Sequence, residues 1–281
     1  MVLMKLHTRV TRKAILIGCP SEGRNYLYGV SSDLTNMKNH FSSKNGGEFF
    51  PSEIITLENP SAIEVYQTIQ SNVSDYQFIY FSGHGATNAQ TGERILSLRD
   101  CCISDTSLLN ESPRQLVVID SCRTHVTPGL AGLPEEEKHW LSANGLYPIH
   151  DLFDSLISNS PFGKVIVHAT LDGETSDDSQ WGGLFTRAVL KVSKNISDRN
   201  NREHTSIYSI VNNAAALLKK QTPEIVFTEG DFNIPFCLGI KSEEKKIDFR
   251  KIKKVVPVNA GVHPIVWVSL SLLAIAILTS D

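Results

Sequence analysis

The sequence is poor in cysteine and has no arrangement of cysteines that could staple or clip a small fold. Its five cysteines stand at 19, 101, 102, 122 and 237. That odd number lacks the paired short spacings of zinc sites and disulfide scaffolds, so free thiols in a reducing compartment are expected. Strong charge of either sign is also missing. With 27 basic against 30 acidic residues the formal net charge is -3, which argues against nucleic acid as the main partner. No internal repeat or low-complexity tract is present, and the N-terminal apolar run "AILIGC" is too short for the core of a secretory signal. The remaining composition, 41% hydrophobic and 20% charged over 281 residues, is that of an ordinary folded chain with one large core or two modest ones. One absence is local: between Val255 and Ser280 there is no Asp, Glu, Lys or Arg.

What is present alternates between two periods. "KAILIGC" (13–19) is a nearly continuous apolar run, as expected of a strand covered on both faces. "SSDLTNMKNHF" then places Leu34, Met37 and Phe41 at helical spacing behind a Ser/Asp cap. "SEIITL" and "NPSAIEVYQTIQSNV" repeat the unit, with Ser61 ahead of Ile63, Tyr66 and Ile69. "YQFIYFS" and "RQLVVID" (114–120) are a third and fourth strand, "IHDLFDSLIS" a helix, "GKVIVHAT" a fifth strand. "WGGLFTRAVLKV" and "SIYSIVNNAAALLKKQ" are helices, and "PEIVF" and "PFCLGI" late strands. The polar stretch 193–204, "SKNISDRNNREH", is expected to be a solvated connection. This alternation predicts an α/β sandwich with a largely parallel sheet and helices on both faces.

In such sheets functional residues gather beyond the carboxyl ends of the strands. His84 follows the third strand in "YFSGHG", and Cys122 follows the fourth in "LVVIDSCRT". If those strands are neighbours, both side chains enter one crevice, where an imidazole can take the proton of a thiol and release a nucleophilic thiolate. The glycines beside His84 leave room for a substrate backbone, and the amides of Gly85 and Cys122 could hold a tetrahedral oxyanion. The plain alternatives are a buried cysteine that packs as a small hydrophobe and a histidine that merely occupies a turn.

"YFSGHG" and "VVIDSCR" resemble the two signatures of the caspase-like cysteine peptidases, the group of metacaspases, paracaspases and bacterial orthocaspases. "LYGVSSDLTNM" is similar to the segment after that family's first strand, "WGGLFTRAVL" to its Gly-Phe-Thr helix start, and "QTPEIVFTEGDFNIPFCLGI" to its closing strands. The resemblance spans about residues 12–240 and implies a caspase-like three-layer sandwich with His84 and Cys122 as catalytic dyad. Where true caspases carry the arginine that reads aspartate, this chain has Leu27. As in metacaspases, Asp33 lies four residues after Gly29 and Asp120 two before the cysteine, and Ser82 holds a further pocket position. Two carboxylates in one pocket favour a substrate cation, so cleavage of proteins after Arg or Lys is expected. Taken alone, Asp33 also suits a helix N-terminus and Asp120 a strand-end cap. Val30, Ser32 and Arg123-Thr124 depart from the usual metacaspase residues.

No cofactor or metal is expected from the residues themselves. The resemblance leaves calcium activation open, with Asp100 and Asp105 in the comparable stretch. It also implies that the long loop 123–150 carries pocket elements and sites of self-cleavage, for which Arg123 and Lys138 are candidates.

Three segments are expected: a peptidase domain over 1–240, a basic polar linker over 241–261, and a membrane segment over 262–281. The stretch 262–280 counts 19 uncharged residues, near the lower limit for a spanning helix. The basic cluster Lys245, Lys246, Arg250, Lys251, Lys253 and Lys254 before it favours a single-pass topology with the catalytic domain in the cytoplasm. A terminal helix packed on the domain or on a partner is the competing reading. The resemblance makes a regulated cell-death or defence pathway the expected setting, and a catalytically silent membrane scaffold recruiting partners is the alternative function.

Overall fold

The structure, a computed structural model, describes residues 10–122, 124–126, 148–199, 203–230 and 234–240. In chain order its elements are β1 (Arg12–Cys19), α1 (Val30–Ser42), β2 (Ile54–Glu58), α2 (Ala62–Ser71), β3 (Tyr76–Gly83), β4 (Gly85–Asn88), β5 (Arg94–Ser97) and β6 (Cys102–Ser104). There follow β7 (Arg114–Asp120), β8 (Thr124–Val126), α3 (Pro148–Asn159), β9 (Gly163–His168), α4 (Leu184–Arg199), β10 (His204–Ser206), α5 (Ile207–Ala215), β11 (Glu224–Gly230) and β12 (Pro235–Leu238).

A six-stranded sheet runs in the order β11-β9-β7-β3-β1-β2. All its pairings are parallel except β9 with β11. The continuous apolar runs of the sequence become its central strands, and every residue of β3 and β7 is buried. Alternate side chains divide the core in two. Leu16, Phe78, Tyr80, Leu116, Val118 and Val165 meet Met37, Phe41, Phe153, Phe185 and Ile210 from α1, α3, α4 and α5. Ile15, Ile17, Ile79, Phe81, Val117 and Ile119 face Val65 and Ile69 of α2, with Leu96 and Leu108 beside them. Both faces are covered, but unequally: four helices stand on one, and α2 with a small second sheet, β6-β5-β4-β8, on the other.

The start of α2 follows from its sequence. Ser61 accepts the Glu64 N–H at 3.3 Å, and Glu64 reaches back to the Ser61 N–H at 2.6 Å, a reciprocal cap that satisfies two otherwise orphaned donors. The cap expected for α1 is not formed. The helix starts at Val30 behind Gly29, Ser31 and Ser32 lie within its first turn, and no side chain caps it.

Residues 193–199, expected to be a loop, continue α4. Val189, Val192 and Ile196 extend its buried stripe at helical spacing, and Ser193 donates to the Val189 carbonyl one turn earlier at 3.0 Å. The late strands also part company: β11 closes the main sheet antiparallel, while β12 pairs with β10 outside it. Among the described residues no helix is long and apolar enough to cross a membrane. The expected linker and membrane segment, 241–281, lie outside the described residues, as do the candidate cut sites Arg123 and Lys138.

Candidate active site

The site forms where β3 and β7 end side by side. Ser82 and Asp120 are in parallel register, and His84 and Cys122 each follow two residues later, so they leave the same edge of the sheet from neighbouring strands. Both line one cleft of about 60 Å³, together with Leu27, Val30, Asp33, Ser82, Asp120, Ser176, Asp177, Asp178 and Gly183. The approach of the strand ends depends on Gly85, where a Cβ would lie 2.5 Å from Ser121 Oγ and 2.9 Å from Ser121 Cβ.

His84 is held from both sides. Its carbonyl accepts the Ser97 N–H at 2.9 Å, and its Nε2 stands 2.6 Å from the carbonyl oxygen of Asn25. A carbonyl only accepts, so the Nε2 hydrogen is donated there; on a neutral ring Nδ1 is then the free base. The Asn25 carbonyl thus sets the tautomer. Sequence reading missed it, because any residue supplies a carbonyl and none announces it.

Cys122 is half-buried. Burial pushes its thiol above the ordinary value, partly offset by the Ser176 N–H, which points at the sulfur from 3.3 Å. The resting thiol therefore needs a base to ionise, which is the role open to His84.

Asp33 and Asp120 are both buried in the floor of this cleft. Asp33 accepts the Ser82 hydroxyl at 2.8 Å and the Gly183 N–H at 3.0 Å, so it does not cap its helix. Asp120 accepts Ser176 Oγ at 2.6 Å, Thr186 Oγ1 at 2.8 Å and the Thr186 N–H at 3.1 Å; it does cap a helix, the first turn of α4. Gly183 must be glycine, since a Cβ there would lie 2.2 Å from Asp120 Oδ2. Burial, and next the neighbouring charge of Asp120, push Asp33 up to about 8. Burial likewise raises Asp120 against the pull of its hydrogen bonds.

The segment 171–183 contributes residues that sequence reading did not single out. Ser176 touches both Cys122 and Asp120, Asp177 lines the cleft, and Asp178 accepts the Gly29 N–H at 3.2 Å. The acidic run "GETSDDSQ" ahead of the glycine pair was the available signal. Among the described residues the lining therefore holds four acidic side chains and no Lys or Arg. Asp100 and Asp105 lie in no shared site: Asp100 accepts the Ala62 N–H at 2.9 Å, and Asp105 sits 3.2 Å from His168 Nε2. Among the described residues the one group spaced to hold a metal ion is His150, Asp151 and Asp154, which is not part of this cleft.

A thiol and an imidazole at adjacent parallel strand ends, above an acidic cleft on a helix-flanked sheet, define a caspase-like α/β domain with a cysteine–histidine pair. The chain belongs to the caspase domain family, whose model matches residues 11–232, and the family is one of cysteine peptidases. The fold is similar to that of caspase-1 from Spodoptera frugiperda, with a TM-score of 0.52 at 15% identity over 84% of this chain and 92% of that one. It is similar also to a Geobacter sulfurreducens protein, with a TM-score of 0.55 at 15% identity over 83% of this chain and all of the other. At such identity the likeness is one of fold. No curated protein matches the sequence.

Proposed function

We propose that the protein is a cysteine endopeptidase that cuts proteins after arginine or lysine. One observation carries the reading: Cys122, His84 and the two buried acids Asp33 and Asp120 line a single cleft that, among the described residues, holds no Lys or Arg. His84 Nδ1 takes the Cys122 proton, and the thiolate attacks the carbonyl carbon of the scissile bond. The amides of Gly85 and Cys122 hold the resulting oxyanion. Collapse breaks the C–N bond as His84 returns the proton to the leaving nitrogen. Water then hydrolyses the thioester with His84 again as base.

The guanidinium or ammonium group of the substrate takes up the charge of Asp33 and Asp120. An aspartate there would meet four acidic side chains and, among the described residues, no Lys or Arg to pair with. The test is labelling by a peptide electrophile ending in arginine. Labelling of the native protein and its loss in Cys122→Ala are expected; no labelling, or equal labelling of both, would reject catalysis and leave a silent scaffold. A panel of peptides differing only before the cut bond tests the specificity, and a preference for aspartate rejects it.

For the tail, the uncharged stretch 262–280 behind a basic cluster supports tethering to a membrane, with the peptidase domain on the cytoplasmic side. Fractionation of the full chain against one ending at Ile240 tests this. Membrane recovery of the full chain alone is expected, and equal solubility rejects it. The setting in regulated cell death or defence rests on the family resemblance.

A further inference from the structure

His84 borders two cavities. Beside the acidic cleft lies a second one of about 220 Å³, lined by Cys19, Ser21, Glu22, Asn59, Ser97, Leu98 and Arg99 together with His84. It opens at the carboxyl ends of β1, β2 and β3. The chain steps from β1 to β2 on one side and returns to place β3 on the other, which makes this the switch point where open α/β sheets bind ligands. Two of the three non-glycine residues at positive φ among the described residues line it, Ser21 at 66° and Asn59 at 50°. Strained backbone of this kind gathers at binding sites.

Unlike the first cleft, its lining holds a cation, Arg99, alongside a single carboxylate, Glu22. The Arg99 side chain is only 11% exposed; its Nη2 bonds Glu64 at 3.0 Å, and its buried Nε–H has no partner. Glu64 is shared, since its Oε2 also accepts from Ser61 N and Oγ. Ser21, Ser97 and Asn59 add polar side chains, and the one carboxylate in the lining, Glu22, is exposed to solvent, where its charge is screened.

Resting on the peptidase reading, we propose that this second cavity receives the side chain immediately after the cut bond, and that Arg99 selects an acidic residue there. The chemistry sets the direction. The acyl half of the substrate is bonded to Cys122, with its cation over Asp33 and Asp120. The leaving nitrogen must come within hydrogen-bond reach of His84 to be protonated, so the residue that carries this nitrogen lies against the far side of the imidazole. The favoured target is a basic–acidic pair cut between its members.

The test is a set of otherwise identical peptides with arginine before the bond and Asp, Glu, Ala or Lys after it. A kcat/KM at least about tenfold higher for Asp or Glu than for Ala, with Lys lowest, is expected from one charge-assisted contact. Cleavage with no such order overturns the subsite and leaves cleavage after arginine standing. Cleavage of none overturns the peptidase reading and the subsite with it. In Arg99→Gln the Asp-to-Ala ratio falls towards one, and in Arg99→Lys it is intermediate. An unchanged ratio in either folded variant assigns the preference elsewhere and sinks the role of Arg99.

Discussion

The backbone N–H of Ser176 points at the Cys122 sulfur from 3.3 Å, while the hydroxyl of the same serine bonds Asp120 at 2.6 Å. One residue therefore contacts both the Cys122 thiol and the Asp120 carboxyl. On the proposed reading, a substrate cation would compete with that serine for Asp120.

Removing the competitor should ease binding. Ser176→Ala keeps the amide over the sulfur but drops the hydroxyl, and a hydrogen bond to a charged group is worth about 1.5–3 kcal/mol. KM for an arginine peptide is expected to fall several-fold with kcat little changed. Steady-state kinetics check this; a KM that rises makes Ser176 a substrate contact instead.

Neutralising the floor should cost specificity. Asp33→Asn and Asp120→Asn each remove one charge facing the substrate cation, for a loss of about 10–100-fold in kcat/KM on arginine peptides. Peptides with a neutral residue before the bond should lose less, so the ratio between the two classes carries the result. An equal loss on both would mean a damaged site rather than a lost reader.

Raising the pH should tighten binding of an arginine substrate. Burial and the charge of Asp120 hold Asp33 up to about 8 in the free protein, while a bound guanidinium requires its ionised form. Below that value binding expels a proton, so KM should fall as pH climbs from about 6 to 8, by up to about tenfold per unit. Stability runs the other way. The folded value lies above the unfolded one of about 3.9, so the stabilisation from holding the proton is complete below pH of about 4 and is lost as pH rises through 8. Asp33→Asn should flatten both profiles; a KM independent of pH in the native protein would mean that Asp33 is already ionised.

The core beneath the site depends on Phe41 of α1, fully buried against Phe78 at 4.4 Å and Phe49 at 5.0 Å between ring centroids. Phe41→Ala leaves a cavity and should cost about 3–5 kcal/mol, read as a shift of the denaturant midpoint. A loss below about 1 kcal/mol would mean that α1 packs elsewhere.

Much of this was legible along the chain, because buried parallel strands and amphipathic helices write their burial into residue order. "YQFIYFS" and "RQLVVID" stand out as strands covered on both faces, and the Leu34, Met37, Phe41 period marks one buried face of α1. The short strands β4, β5 and β6 were not legible, since three or four residues are too few to display a period. The end of α4 is not legible because Ile196 is the one apolar residue in 193–199, among six polar ones. Asp33 carried the label of a helix-start residue, and its actual partner, Gly183, lies 150 positions away.

The sequence by itself determined the alternating α/β order and pointed, through two strand-end motifs and the segment after β1, to His84, Cys122, Asp120 and Asp33. Only the tertiary structure decided that they share one cleft, that the Asn25 carbonyl sets the imidazole tautomer, and that Ser176 covers the thiol. Residue type records what a side chain can do. Which groups meet, and how far water is excluded from them, is set by strand register and loop packing between positions far apart in the chain.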